Sequence, residues 1–123
     1  MKELTKAEEQ VMQIIWEKEK VFVKEVLEEM PLPKPAYNTV STIVRILETK
    51  GFVGHEVFGK SHRYYPLIEK DVYRKFSANQ MIQGYFSGSA SKLISFFIKE
   101  KNLDTRDLDE ILNLIESQKD KKK

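Results

Sequence analysis

Asn38, Ser41, Thr42, Arg45 and Thr49, with Thr39 at the flank, fall at helical spacing opposite an apolar stripe of Val40, Ile43, Val44 and Leu47. Short polar side chains plus one arginine make a face that can enter a duplex groove. Small residues let a helix approach, hydroxyls and amides meet phosphates and base edges, and arginine can pair bidentately with guanine. Solvated helix faces are usually built from Glu and Lys, whereas Thr, Ser and Asn are mediocre helix formers. Their concentration on one face therefore points to nucleic-acid recognition. Lys60 and Arg63, at the tip of a following hairpin, are placed to meet phosphates or the minor groove.

Material for other chemistry is scarce. The 123 residues include no Cys and two His, which excludes a disulfide framework, a thiolate metal site and a Cys nucleophile. His55 and His62 can face each other across the hairpin. With only Glu56 nearby they make an incomplete metal site, and no metal or other cofactor is expected. No carboxylate sits in an apolar pattern that would tune a general acid. Gly84 and Gly88, among Ser and aromatics, do not form a phosphate-cradling loop. The chain reads as a non-enzyme.

Charge agrees with a nucleic-acid face. Net charge is only +2, but it is unevenly placed. Residues 31–66 hold five cations (Lys34, Arg45, Lys50, Lys60, Arg63) against two anions (Glu48, Glu56), a local net of +3. The preceding segments are acidic, a polarity suited to one DNA-facing surface. No apolar run approaches the ~20 residues of a membrane span, and the charged start is no signal peptide. A cytoplasmic protein without membrane insertion is expected. The Lys121-Lys122-Lys123 run carries no assignment.

These residues must be positioned by helices and one hairpin. Thr5-Lys6-Ala7-Glu8 fits a capping box, with Leu4 placed for a hydrophobic staple. Val11, Ile14 and Ile15, flanked by Met12 and Trp16, mark the first helix. A second fits Val23 to Met30 and is stopped by Pro31-Leu32-Pro33-Lys34-Pro35. A third runs from about Ala36 to Lys50, with Gly51 as a left-handed terminator. Phe52 to Leu67 reads as strand, turn at Gly59-Lys60-Ser61, strand, with Pro66 suiting an edge. Beyond Ile68 the chain reads as helix only. The stretch Gly84 to Ser91 should break it, and a last helix should start at Asp104 or Thr105.

The fold class is therefore mainly α with a small β-hairpin wing: a winged helix-turn-helix over residues 1–68 and a helical lobe over residues 69–123. The second lobe is too short to bury its own apolar face. Phe76, Ile82, Phe86, Leu93, Phe97, Leu108, Ile111, Leu112 and Ile115 are the residues expected to close a homodimer.

The order of these segments resembles the BlaI/MecI family of bacterial winged-helix repressors, over about Leu4 to Ile115. The similar segments are Leu4-Thr5-Lys6-Ala7-Glu8 with Val11-Met12 and Ile15-Trp16, then Val23-Lys24-Glu25-Val26. Thr39-Val40-Ser41-Thr42-Ile43 with Leu47 and Lys50-Gly51 follow, then Gly59-Lys60 with Tyr64 and Pro66, and Phe86-Ser87-Gly88-Ser89 with Leu103, Leu108 and Leu112. The resemblance implies a homodimer that blocks transcription from palindromic operators, with Thr39, Ser41 and Thr42 on DNA. It also implies relief by proteolysis in the C-terminal lobe, triggered by a membrane-bound sensor with a zinc metalloprotease domain. Phe96-Phe97 aligns with the family's Asn-Phe cut, without the Asn. Ile46 stands where the family often has a basic residue, and Arg45, one place earlier, is turned by about 100° on the helix. The chain lacks the Cys pairs of copper-responsive relatives, which argues against copper as inducer. Two other readings fit the residues: a winged-helix protein-interaction module, and a regulator sensing a small molecule between the lobes.

Overall fold

The computed structural model describes residues 1–100 and 103–121; Lys122 and Lys123 of the terminal lysine run lie outside them. Helix α1 (Lys6–Lys18) starts with the expected capping box. The Thr5 amide donates to Glu8 Oε1 at 3.0 Å, and the Glu8 amide donates to Thr5 Oγ1 at 3.2 Å. Strand β1 (Val21–Phe22) leads directly into α2 (Val23–Glu29), where Glu25 Oε1 accepts the Phe22 amide at 2.8 Å. Helix α3 (Tyr37–Thr49) ends where Gly51 takes a φ of 84°, the left-handed conformation that turns the chain back. The Phe52 amide then bonds Leu47 O at 2.9 Å.

Strands β2 (Val53–Phe58) and β3 (Ser61–Pro66) form the wing, paired from Val53↔Pro66 to Phe58↔Ser61. The sheet order is β1-β3-β2, so β3 is central, not the edge that Pro66 suggested. β1 pairs only with Arg63 and Tyr64. Pro66, at the last position of β3, lies beyond its reach and interrupts nothing on that side.

The core of this unit comes from the inward stripes of α1, α2 and α3 closed by the sheet. Val11, Met12, Ile15, Val21, Val26, Val40, Val44, Leu47, Phe52 and Val53 are buried almost completely. Met12 of α1 and Val40 of α3 are fully buried there.

Helices α4 (Lys70–Tyr85), α5 (Ala90–Glu100) and α6 (Thr105–Lys121) complete the chain. Ser87 and Gly88, at φ of 51° and 77°, separate α4 from α5 where the small-residue stretch predicts a break. Asp104 caps α6 by accepting the Asp107 amide at 2.9 Å. The chain divides into one compact unit spanning Met1–Ser77 and a second beginning at Ala78, so the seam falls within α4. The first turns of α4 belong to the winged unit. Tyr73 is buried, its hydroxyl accepts the Leu4 amide at 2.9 Å, and its ring meets Phe52 edge-on at 5.4 Å. Trp16 Nε1 donates to Ile68 O at 2.9 Å beside it.

In the second unit α5 has no buried residue. Ile94, Phe96, Phe97, Ile98, Leu112, Leu114 and Ile115 are 41% to 66% exposed in the single chain.

Candidate nucleic-acid interface

The apolar stripe of α3 anchors Val40, Val44 and Leu47 in the core, which turns the opposite face outward. Asn38, Thr39, Thr42, Arg45 and Thr49 are exposed there and Ser41 is half-buried. Tyr37, Ser41 and Arg45 form one wall of a groove of about 720 Å³. Phe22 to Glu25, around the start of α2, line it from one side. Phe58, Lys60, Ser61, His62 and Tyr64 of the wing close it from the other. The structure thus brings Arg45, Ser41 and Lys60 together on one concave surface.

The α3 side chains are partly pre-set by their own helix. Thr42 Oγ1 donates to Asn38 O at 2.9 Å, and Thr49 Oγ1 donates to Arg45 O at 3.0 Å. With their protons used in this way, both hydroxyls present acceptor lone pairs and a methyl group outward. Arg45 donates to Ser41 Oγ at 3.3 Å, which lays the guanidinium along the groove wall.

Arg63 is not at the hairpin tip. It sits inside β3 opposite Glu56, and strand alternation points it away from the face that carries His62 and Tyr64. Its guanidinium lies 4.4 Å from the Phe58 ring centre and 3.7 Å from Glu56, and its buried Nε has no hydrogen-bond partner among the described residues. Lys50 is also diverted: its ammonium lies 2.6 Å from Glu8 Oε1, 42 residues away. Lys34 donates to the carbonyls of Leu27 and Glu28 at the end of α2. Of the five cations counted in residues 31–66, the groove therefore receives Arg45 and Lys60.

Lys24, Tyr37, His62 and Tyr64 also line the groove. Tyr37 is legible as the residue one turn before Ser41 on the polar face; Lys24 enters only through the packing of α2 against α3. Burial pushes the Tyr64 phenol up, Glu48 adds to this, and Arg45 works against it. At neutral pH the wall thus carries a hydroxyl there and no phenolate.

Phe76 is placed apart from the other expected dimerisation residues. It packs against the N-terminal core, 5.9 Å from the Tyr73 ring. Ile82, Phe86, Leu93, Leu108 and Ile111 are half-buried within their own unit, and Phe97, Leu112 and Ile115 are exposed. Phe96 packs on Phe86 at 5.6 Å, and the Phe96-Phe97 bond lies inside α5. Among the described residues no helix is long and apolar enough to cross a membrane.

The family model described as Penicillinase repressor matches residues 4–117. The methicillin resistance regulatory protein MecI of Staphylococcus aureus strain N315 is 26% identical over 92% of this chain and 93% of its own length. The penicillinase repressor of Bacillus licheniformis is 23% identical over 98% of this chain and 95% of its own. A solution structure of the DNA-binding domain of the repressor BlaI superposes with a TM-score of 0.51 and 28% identity. It covers 59% of this chain and 94% of that domain.

Proposed function

The chain belongs to the penicillinase repressor family, DNA-binding transcriptional repressors and not enzymes, and from that premise we propose that it acts as a cytoplasmic homodimer on palindromic operators. The observation that carries this reading is the shared groove. Arg45 and Ser41 of α3 and Lys60 of the wing open onto one surface, as a helix in the major groove with a wing on the adjacent backbone requires. Asn38, Thr39, Ser41, Thr42 and Arg45 read base edges, and Lys60 holds phosphate. Arg63 acts one step back, stacking under Phe58 and stiffening the wing.

The dimer is closed by α5 and α6. Ile94, Phe96, Phe97 and Ile98 of α5 and Leu112, Leu114 and Ile115 of α6 are exposed at 41% and above in the single chain, and exposed apolar side chains concentrated on two helices mark an interaction surface. Leu108, Ile111, Leu112 and Ile115 from α6 join Leu93 and Phe97 from α5, with Ile82 and Phe86 from the end of α4. Induction proceeds by cleavage at Phe96-Phe97 by a membrane-bound sensor metalloprotease. A protease takes an extended strand, so α5 must open locally before that bond can be cut.

Fluorescence anisotropy against a pool of palindromic duplexes and against random duplex, over a range of salt concentrations, tests the core of the proposal. Selective, salt-sensitive binding at two chains per duplex is expected. Equal, weak binding to every duplex would overturn it and leave the polar face of α3 for a protein partner.

A further inference from the structure

Base reading and dimerisation leave two imidazoles of the wing unused, of which His62 lines the groove and His55 lies behind it. His55 in β2 and His62 in β3 stack face to face, with ring centroids 4.3 Å apart and planes 9° from parallel. The register pairs His55 with Tyr64 and Val57 with His62, so both rings stand on the same sheet face as diagonal neighbours. The inner ring is held from the recognition helix, because His55 Nδ1 contacts Glu48 Oε2 near the end of α3. The outer ring is exposed and lines the groove with Arg45 and Lys60.

The charged and titratable groups that line the groove with His62 are Arg45 and Tyr37 from α3, Lys24 and Glu25 from α2, Tyr64 from β3 and Lys60 from the turn, while Glu48 of α3 stands against His55. The two carboxylates are both engaged elsewhere: Glu48 with His55, and Glu25 with the Phe22 amide at 2.8 Å. His62 has no ion pair among the described residues, and the cations Lys24, Arg45 and Lys60 share its groove.

Imidazole changes charge between about pH 5 and 8. Glu48 is the carboxylate partner of His55 within the fold. Two imidazolium rings in this stack would oppose each other as like charges. A DNA phosphate entering the groove supplies the anion that His62 lacks. Phosphate binding and protonation of His62 then favour one another, and linkage makes the coupling reciprocal.

We propose that His62 is a backbone-phosphate contact that takes up its proton together with DNA, and that the His55–His62 stack makes DNA affinity tighten as pH falls. The inference rests on the repressor reading and adds a proton to its equilibrium.

The test uses the full chain and its selected operator duplex, with anisotropy titrations from about pH 5.5 to 8.5 at fixed ionic strength. The wild type is compared with His62→Gln, whose exposed position leaves the fold intact as checked by thermal melting. Affinity of the wild type should rise about tenfold per bound proton over one pH unit relative to the variant. At low pH its salt slope should be steeper by about one per protomer. His55→Gln removes the facing charge and should move the rise to higher pH, a shift that a merely structural role does not produce. Parallel pH profiles for wild type and His62→Gln would overturn the phosphate contact. An unmoved rise in His55→Gln would overturn the coupling through the stack. Absence of duplex binding at every pH would instead sink the repressor reading itself.

Discussion

At the scale of single residues, Arg45 is the side chain on which the proposed selectivity turns. Its guanidinium lies along the groove wall beside Ser41, free of any carboxylate among the described residues. Arg45→Ala should weaken operator binding by about 1–3 kcal/mol and flatten discrimination between duplexes, as read by competition anisotropy. A uniform loss on all duplexes would reduce Arg45 to a phosphate contact. Glu8 is the buried carboxylate of the core. Burial alone would raise its pKa, but the Lys50 ammonium and the Thr5 amide and hydroxyl together hold it below the usual carboxylate range. A carboxyl depressed in the folded state adds stability that is present above its unfolded pKa and lost as pH falls through the folded one. Urea melts should therefore show an acid-side loss that Glu8→Gln removes. Glu8→Ala should cost about 2 kcal/mol, less than a fully buried pair because the Lys50 side chain is 20% exposed. The polar face of α3 was legible because helical periodicity fixes which side chains share a side. The partners of Lys50 and Arg63 were not, since long cationic side chains choose anions by tertiary proximity. Glu8 is 42 residues from Lys50, and Glu56 reaches Arg63 across the hairpin.

At the scale of elements, the start of α4 works as a clamp on α1. Tyr73 ties the Leu4 amide, Glu9 and the Phe52 ring to one phenol, while Trp16 reaches Ile68 O beside it. Tyr73→Phe keeps the ring contacts but strands the buried Leu4 amide. It should destabilise the chain by about 1–3 kcal/mol in urea, with little change in operator selectivity. A stability within error of wild type would show that water replaces the phenol. Helices were legible wherever a stripe and a cap coincided, as at Thr5–Glu8 and Gly51. β1 was not, because two residues carry no periodicity, and their pairing with Arg63 and Tyr64 is what moves β3 to the centre of the sheet. The same missing strand explains why Pro66 misled: an edge signal in the sequence became the last position of a central strand, paired there with β2 alone.

At the scale of the whole molecule, the proposed dimer rests on the exposed apolar residues of α5 and α6. Phe97→Asp places a charge in that surface and should convert a dimer to monomers in sedimentation, with operator affinity falling in parallel. An unchanged mass would take Phe97 out of the interface. The helical character of the second half was plain from its repeat of apolar residues. The seam between the units was not, because periodicity runs through α4 without a break, and only Tyr73 and Phe76 reveal that its first turns serve the winged core. That seam bears on what a cut at Phe96-Phe97 would do. Tyr73 and Phe76 stay with the N-terminal piece, so the DNA-reading unit keeps its core and its fold. What it loses is Phe97 and all of α6, and with them most of the proposed tether to a second copy. Binding at the second half-site stops being an intramolecular event, and the avidity of a linked pair, commonly 10²–10⁴ in such systems, gives way to two independent weak affinities. Induction on this scheme destroys no recognition at all; it dilutes it.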